Sequence, residues 1–321
     1  MSLVPQAAPE EITAAYGAAL VEVGRAFPNV VVLDSDIADS CKTEAFHAAF
    51  PDRSIDLGVA EQSLPSVAAG LALVGKIPFY NSFAVFAVER GVDIIRQSVA
   101  YNRANVKIVG HAAGQSMGYT GPSHHTLEDI AILRSIPGIT ILSPCDAVQT
   151  RQMVWRMAEH QGPVYLRLAR SSVPNVHAAG YSFEIGQSEL LREGRDISLF
   201  VTGDLVVLAL EVHDALQQAG ISVHVVNVPT LKPLPPEEIL RHARHTAGAL
   251  TIEDHNVIGG LGSAVAEIYA EHLAKPVRRM GIPDTFTESD DGDALRAAYG
   301  IRLDLALAVV RDMLHSAQSV T

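Results

Sequence analysis

The chain has 321 residues, more than the usual span of one domain, so two domains are expected and one large α/β domain is the alternative. Hydrophobic residues make up 48% and charged residues 19%, with glycine and proline scattered, which excludes a long disordered or collagen-like protein. The formal net charge of −12 opposes a general attraction to nucleic acid or to an anionic membrane, so neither is expected as a partner.

The two cysteines, Cys41 and Cys145, are isolated and lack the spacing of a disulfide framework or a zinc site. Residues 1–9 contain no basic segment followed by an apolar run. The longest apolar stretches are too short, or too broken by charge, to span a bilayer. We therefore expect a cytoplasmic protein.

Short apolar runs alternate with helical patterns along the first half of the chain, which is typical of a parallel sheet flanked by helices. The runs predict strands at residues 30–33, 77–80, 106–109, 140–142 and 164–168. Apolar residues at three- and four-residue spacing predict helices at residues 12–27, 62–74, 83–102 and 147–159.

A second alternating series follows in the other half. It predicts strands at residues 197–202, 222–227, 249–253 and 277–281. It predicts helices at residues 205–218, 236–245, 263–272, 293–299 and 304–316. Residues 171–195 separate the two series and have no strong periodicity, which favours a domain boundary there.

Three stretches carry side chains that chemistry could use, and each has a purely structural alternative. Glu61 precedes an apolar helix, where a carboxylate in the first turn is favoured by the helix dipole. Phe83 and Phe86 stand three residues apart, a spacing that usually reflects core packing. His124 and His125 follow a Gly-Pro turn, where they could be solvated surface side chains.

Taken together and in this order, these stretches and three later ones resemble the pyrimidine-binding half of the thiamine-diphosphate enzymes of the transketolase family. The matching stretches are Gly58-Val59-Ala60-Glu61-Gln62, Ser82-Phe83-Ala84-Val85-Phe86, Gly121-Pro122-Ser123-His124, Leu142-Ser143-Pro144-Cys145-Asp146, Arg170-Ser171-Ser172-Val173-Pro174, and Glu253-Asp254-His255 followed by Gly259-Gly260-Leu261-Gly262. The resemblance implies an α/β fold with a pyrimidine-binding domain at residues 1–180 and a smaller transketolase C-terminal domain at residues 190–321.

The resemblance also implies how thiamine diphosphate is bound. Glu61 would hydrogen-bond the N1′ nitrogen of the aminopyrimidine and so promote the tautomer that removes the thiazolium proton. Phe83 and Phe86 would flank the aminopyrimidine ring by offset stacking, although Phe86 could also belong partly to the core.

Three further residues are expected to serve the substrate. His124 would hydrogen-bond an oxygen of the donor, and His111 is a second candidate near the reacting carbon, although residues 111–121 are one residue longer than the family pattern. Arg170 would hold a sugar phosphate through bidentate hydrogen bonds, and a nearby salt bridge is the alternative. His125 has no assigned role.

Two stretches depart from the single-chain transketolases. Tyr119-Thr120 replaces the usual acidic pair before the Gly-Pro turn, and losing a carboxylate that recognises a donor hydroxyl changes substrate discrimination. The Gly58 to Gln62 stretch is more similar to deoxyxylulose-phosphate synthases and to split transketolases. The donor is therefore expected to be unusual.

A further departure concerns the divalent cation. The family holds magnesium and the diphosphate with a Gly-Asp-Gly sequence and a later asparagine, and neither Gly203-Asp204-Leu205 nor Asp291-Gly292-Asp293 has this pattern. The resemblance therefore implies a separate N-terminal subunit that holds most of the Mg²⁺ site. We expect an α2β2 heterotetramer with a homodimer contact.

The Gly259 to Gly262 turn could cradle a phosphate at a helix N-terminus, but Val265 breaks the dinucleotide-binding pattern. The resemblance makes this turn a structural loop. The second domain is expected to form the dimer, with Glu253 and His255 marking the family rather than the reaction.

These expectations predict a subunit of a split transketolase, which transfers a two-carbon ketol unit from a ketose, expected to be phosphorylated, to an aldose. An alternative within the family is a pyruvate-using enzyme, resembling deoxyxylulose-phosphate synthase or the β subunit of a 2-oxo-acid dehydrogenase. An alternative of another class is a non-catalytic scaffold subunit.

Overall fold

A computed structural model of the chain describes residues 8–318. The prediction that residues 1–9 contain no targeting segment therefore concerns residues that lie mostly outside the described range. The first half contains β1 (Glu10–Glu11), α1 (Ile12–Ala26), β2 (Val30–Asp34), α2 (Ala38–Cys41), α3 (Glu44–Ala49), β3 (Ser54–Asp56), α4 (Leu64–Leu73), β4 (Ile77–Phe83), α5 (Ala84–Val88), α6 (Val92–Ile94), β5 (Lys107–His111), α7 (Asp129–Ser135), β6 (Thr140–Leu142), α8 (Ala147–Glu159), β7 (Val164–Arg167) and β8 (Ser172–Val173).

The second half contains β9 (Glu189–Arg192), β10 (Ile197–Val201), α9 (Val206–Gln218), β11 (Val223–Asn227), β12 (Thr230–Lys232), α10 (Pro236–Ala243), β13 (Ala249–Asn256), α11 (Leu261–His272), β14 (Val277–Ile282), α12 (Gly292–Ala298) and α13 (Leu303–Gln318). The predicted α/β class is confirmed, and the predicted strands match β2, β4 to β7, β10, β11, β13 and β14 to within a few residues. None of the helices among residues 8–318 is long and apolar enough to cross a membrane.

Two sheets organise the described chain. A seven-stranded sheet has the order β12-β6-β7-β5-β4-β2-β3, and all its pairs are parallel except the antiparallel pair of β12 with β6. A five-stranded sheet has the order β14-β13-β10-β11-β9, in which only β9 is antiparallel to its neighbour. Parallel strands align their carboxyl ends, so the loops after β2, β4, β5 and β7 meet at one edge.

The single helix predicted at residues 83–102 is wrong. β4 runs on to Phe83, and the following residues form α5, α6 and a π-helix at Ile95–Ala100. Gly91 leaves the helical conformation with φ −111° and ψ 9°. Pro65 packs closely against it, and a Cβ at Gly91 would lie 2.8 Å from Pro65 Cγ. The break therefore follows from the close approach of α4.

The two halves share a hydrophobic core. One cluster of buried side chains contains Ile108 and Ile141 of the first half together with Phe200, Leu231 and Leu261 of the second. The boundary predicted within residues 171–195 stays a prediction, since this stretch contributes β8 to a two-stranded pairing with β1 and β9 to the five-stranded sheet.

Candidate active site

Glu61 lies in the turn between β3 and α4, and it is only 5% exposed. The carboxylate of Asp56 shapes this turn, because it accepts the backbone N–H of Gly58 at 2.8 Å and that of Asp36 at 3.1 Å. Gly58 has a φ of +67°, a conformation that favours glycine. The predicted helix begins at Leu64 rather than residue 62, so Glu61 precedes the helix instead of occupying its first turn.

An arginine that the sequence reasoning missed holds the Glu61 carboxylate. Arg90 Nη1 donates a hydrogen bond to Glu61 Oε2 at 2.9 Å, and the Arg90 side chain is 48% exposed. The Arg90 guanidinium also lies over the Phe86 ring, with Cζ 4.3 Å from the ring centroid. Arg90 therefore joins the buried carboxylate to the predicted aromatic residues.

The structure brings the two phenylalanines and one histidine together beside this pair. The ring centroids of Phe83 and Phe86 are 6.3 Å apart. The His124 ring stands edge-on to both, at 5.9 Å from Phe83 and 5.2 Å from Phe86. All three side chains are half-buried, so the aromatic pair is not enclosed in the core. A flat ring could pack against these partly open aromatic faces.

The neighbouring side chains of His124 and His125 lie in different surroundings. His124 Nδ1 lies 3.0 Å from Ser123 Oγ, and its Nε2 has no hydrogen-bond partner among residues 8–318. His125 is buried and contacts Gly118 and Thr287. The solvated surface group of the structural alternative therefore does not describe His125, whereas His124 is half-buried.

His111 lies at the end of β5, in register with Phe83 at the end of β4. Its Nε2 is 3.2 Å from Asn81 Oδ1, which also accepts the Tyr16 hydroxyl at 2.6 Å. The Asn81 amide nitrogen donates to two backbone carbonyls, so its orientation is fixed. His111 therefore carries its proton on Nε2, and its buried Nδ1 is an acceptor with no hydrogen-bond partner among the described residues.

The charge state of His111 follows from its surroundings. Burial, with smaller contributions from the positive charges of Arg170 and Lys42, lowers the pKa of His111 to about 3. A histidine that is neutral across the physiological range can accept a hydrogen bond from a substrate hydroxyl. It does not act as an imidazolium acid near pH 7.

Arg170 lies just after β7 and is half-buried. Its backbone N–H donates to Ser116 Oγ at 2.9 Å, and its Nη1 lies 3.2 Å from Met117 Sδ. Within residues 8–318 it makes no ion pair with a carboxylate, so the predicted salt-bridge alternative is not found there. Its charge is therefore available for an anionic ligand.

The described residues fit the aminopyrimidine ring of the expected cofactor better than its magnesium ion. A buried carboxylate beside two partly open aromatic rings suits a flat, nitrogen-containing ring such as the aminopyrimidine of thiamine diphosphate. For magnesium, the only group of three close candidate ligands in the described chain is Cys145, Asp146 and His177. Asp146 there already caps α8 and hydrogen-bonds His177, and a group that contains a thiol and an imidazole is not the oxygen-rich set that magnesium prefers.

Comparisons with known proteins agree with this geometry. The family described as transketolase, pyrimidine binding domain matches residues 9–176, and the family described as transketolase, C-terminal domain matches residues 186–304. A solved structure described as a split gene transketolase, inactive beta4 tetramer, superimposes with a TM-score of 0.89 and 44% identity, covering 95% of this chain and 98% of that one.

Curated relatives point the same way. A putative transketolase C-terminal section of Methanocaldococcus jannaschii is 42% identical over 89% of this chain and 90% of its own length. A 6-deoxy-6-sulfo-D-fructose transketolase subunit of a Clostridium species is 40% identical over 88% of both chains. Transketolase-like protein 2 of Mus musculus is 35% identical, but the match covers only 48% of its length. The chain belongs to the transketolase family and corresponds to that family's pyrimidine-binding and C-terminal domains.

Proposed function

We propose that the chain is a subunit of a thiamine-diphosphate-dependent transketolase, which transfers a two-carbon ketol unit from a ketose with an anionic group to an aldose. The observation that supports this most strongly is the grouping of buried Glu61 with Phe83, Phe86 and His124 at one edge of the parallel sheet. Thiamine diphosphate would supply the carbon nucleophile and the electron sink needed to break the bond between C2 and C3 of the ketose.

Glu61 would hydrogen-bond the ring nitrogen of the aminopyrimidine and exchange a proton with it. Because Arg90 is half-exposed, its side chain can move away and leave a Glu61 oxygen to this ring. Phe83 and Phe86 would hold the ring by packing on its faces and would exclude water from it. These three residues orient the cofactor and tune it, which is the contribution that a protein makes to cofactor chemistry.

His124, His111 and Arg170 would bind the donor. The open Nε2 of His124 would hydrogen-bond the donor oxygen on which charge develops, and the unpartnered Nδ1 of His111 would accept a hydrogen bond from a hydroxyl. The guanidinium of Arg170, which makes no ion pair with a carboxylate within residues 8–318, would hold the anionic group of a phosphorylated or similarly charged sugar. Tyr119-Thr120 lies in the same loop as His124, which agrees with an unusual donor.

We also propose a partner: an N-terminal transketolase subunit that holds Mg²⁺ and the diphosphate in an α2β2 heterotetramer. Relatives of nearly the same length are described as a section or a subunit of a transketolase, and a single-chain relative matches over about half its length. A cytoplasmic location is part of the same proposal, because both cysteines are free and buried, as suits a reducing compartment.

A reconstitution experiment tests this function. The chain, a candidate partner with the Gly-Asp-Gly and asparagine pattern, and their mixture are each supplied with thiamine diphosphate and Mg²⁺. We expect ketol transfer from the mixture only. Ketol transfer by the chain alone would contradict the split active site, and pyruvate decarboxylation by the mixture would favour the pyruvate-using alternative. A stable complex without either activity would favour the scaffold alternative.

A further inference from the structure

We infer that the second half of the chain positions His124, through a contact between Thr287 and His125 and a second contact between Asp254 and Gln115. Residues 114–125, called the donor loop here, carry His124 and lie against residues 287–292. The second half would then take part in donor binding, beyond the dimer formation expected from the sequence. This inference rests on the proposed role of His124.

His125 is the first anchor of the donor loop. Its Nε2 lies 3.0 Å from the carbonyl oxygen of Gly118, which can only accept, so Nε2 carries the proton. Its Nδ1 therefore accepts the hydroxyl proton of Thr287, at 2.7 Å. Both side chains are 4% exposed, and burial lowers the pKa of His125, which keeps it in this neutral form.

Asp254 is the second anchor. Its Oδ2 accepts the backbone N–H of Gln115 at 2.9 Å. Arg296 fixes that oxygen, with Nε at 2.9 Å and Nη2 at 2.7 Å, and Arg296 is held in turn by Asp204 at 2.8 Å. Gly114 has a φ of +66°, and a Cβ there would lie 2.2 Å from Asp254 Oδ2. The backbone can therefore approach this carboxylate only because residue 114 is glycine.

The middle of the donor loop is packed just as closely on the second half. A Cβ at Gly118 would lie 2.5 Å from the carbonyl oxygen of Asp290, and a Cβ at Gly121 would lie 2.5 Å from Ser289 Oγ. His124 donates its backbone N–H to the Gly121 carbonyl at 3.0 Å. The position of the His124 ring beside the two phenylalanines therefore depends on where the second half holds this loop.

Substitutions at Thr287 and His125 test whether their hydrogen bond positions the donor loop. Thr287→Val removes the hydroxyl at nearly constant shape, whereas Thr287→Ser retains it. His125→Gln keeps both a donor and an acceptor, whereas His125→Ala removes both. Thr202→Val is the matched control, because Thr202 Oγ1 also makes one buried hydrogen bond, at 2.9 Å, but to the carbonyl of Val228, which is not a residue of the donor loop.

In the reconstituted complex, Thr287→Val is expected to raise the KM of the donor about three- to tenfold, the range of one lost hydrogen bond, and to leave the KM of the acceptor unchanged. In the isolated chain it is expected to speed amide hydrogen exchange of residues 114–121. Thr287→Ser and Thr202→Val should change neither quantity. His125→Ala should raise the donor KM and speed the exchange of residues 114–121, and His125→Gln should show much smaller changes in both.

Three results would overturn the inference. The first is unchanged loop exchange in Thr287→Val, and the second is faster exchange without any rise in donor KM. The third is an equal rise in donor KM for Thr202→Val, which would mean general destabilisation. If the unmodified complex shows no ketol transfer, the proposed function fails, while the exchange experiment on the isolated chain still decides whether Thr287 anchors the loop.

Discussion

Burial shifts the pKa of two ionisable side chains near the sheet edge that carries the site, in each case in favour of the neutral form. It lowers the pKa of His111 to about 3, and it raises the pKa of Glu89 to about 7, with further contributions from the negative charges of Glu128 and Asp129. Glu89 immediately precedes Arg90, which holds Glu61. Both groups are therefore neutral over part or all of the range in which the chain is expected to work.

The raised pKa of Glu89 predicts a pH-dependent stability. Protonated Glu89 is favoured in the folded chain, so its contribution is fully present below about pH 4.5 and is lost as the pH rises towards about 7. Glu89→Gln removes this loss. At pH 8 the free energy of unfolding of the variant is expected to be about 1–2 kcal/mol higher than that of the unmodified chain, because Glu89 is partly exposed and solvent screens part of the effect.

Urea denaturation of the isolated chain at pH 4.5 and pH 8 measures this difference. The two proteins are expected to have similar free energies of unfolding at the lower pH and to diverge at the higher. Glu22→Gln, on the exposed face of α1, is the control and should match the unmodified chain at both. An equal effect of Glu89→Gln at both pH values would contradict the assigned pKa.

At the residue scale, the sequence was informative where a motif surrounds the residue. The local sequence around Glu61, Phe83, Phe86 and His124 marks them as candidates, the family resemblance gives them roles, and the structure brings them together. The sequence does not reveal Arg90, because its contact with Glu61 joins two residues 29 positions apart in the chain. The unpartnered nitrogen of His111 was equally invisible, since it follows from the fixed amide of the buried Asn81.

At the scale of the elements, the break between α5 and α6 places Arg90 beside Glu61. A continuous helix over residues 83–102 would carry Arg90 along a regular helical path, whereas residues 89–91 form a turn. The break occurs where α4 packs against Gly91. Periodicity alone could not reveal it, because the apolar spacing continues through the turn.

Two glycine substitutions test this explanation. Gly91→Ala places a Cβ 2.8 Å from Pro65 Cγ and is expected to destabilise the chain by about 1–3 kcal/mol through overpacking. Gly70→Ala is the matched control, because Gly70 lies within α4 and a Cβ there meets nothing within 4 Å. This control should stabilise the chain by about 0.5–1 kcal/mol. Equal urea midpoints for the two variants would argue against the proposed packing.

Several short strands also escaped prediction. β3, β9 and β12 have three or four residues each, too few for a period of two to stand out. β12 is the most consequential, because it leaves the second series and pairs antiparallel with β6 in the first sheet. Such a pairing depends on the tertiary register of distant segments, which no local pattern carries.

At the scale of the whole molecule, the two predicted series of strands form two sheets, yet the halves are joined by β12 and by a shared core. This joining makes a role of the second half in holding the donor loop physically reasonable. The net charge of −12 also excludes fewer ligands than the composition alone suggests. It opposes polyanions in general, but Arg170, which has no carboxylate partner among the described residues, offers one local positive charge to a small anionic substrate.

The central claim of the proposed function is that Glu61 of this chain supplies the carboxylate that binds the aminopyrimidine of thiamine diphosphate. The most direct measurement is the kcat of ketol transfer by the complex reconstituted with Glu61→Gln, with Glu22→Gln as the control. We expect Glu61→Gln to lower kcat about a hundredfold or more, because amide nitrogen and oxygen cannot exchange a proton with the pyrimidine ring, and we expect the control to be unchanged. Normal turnover by Glu61→Gln would contradict the account.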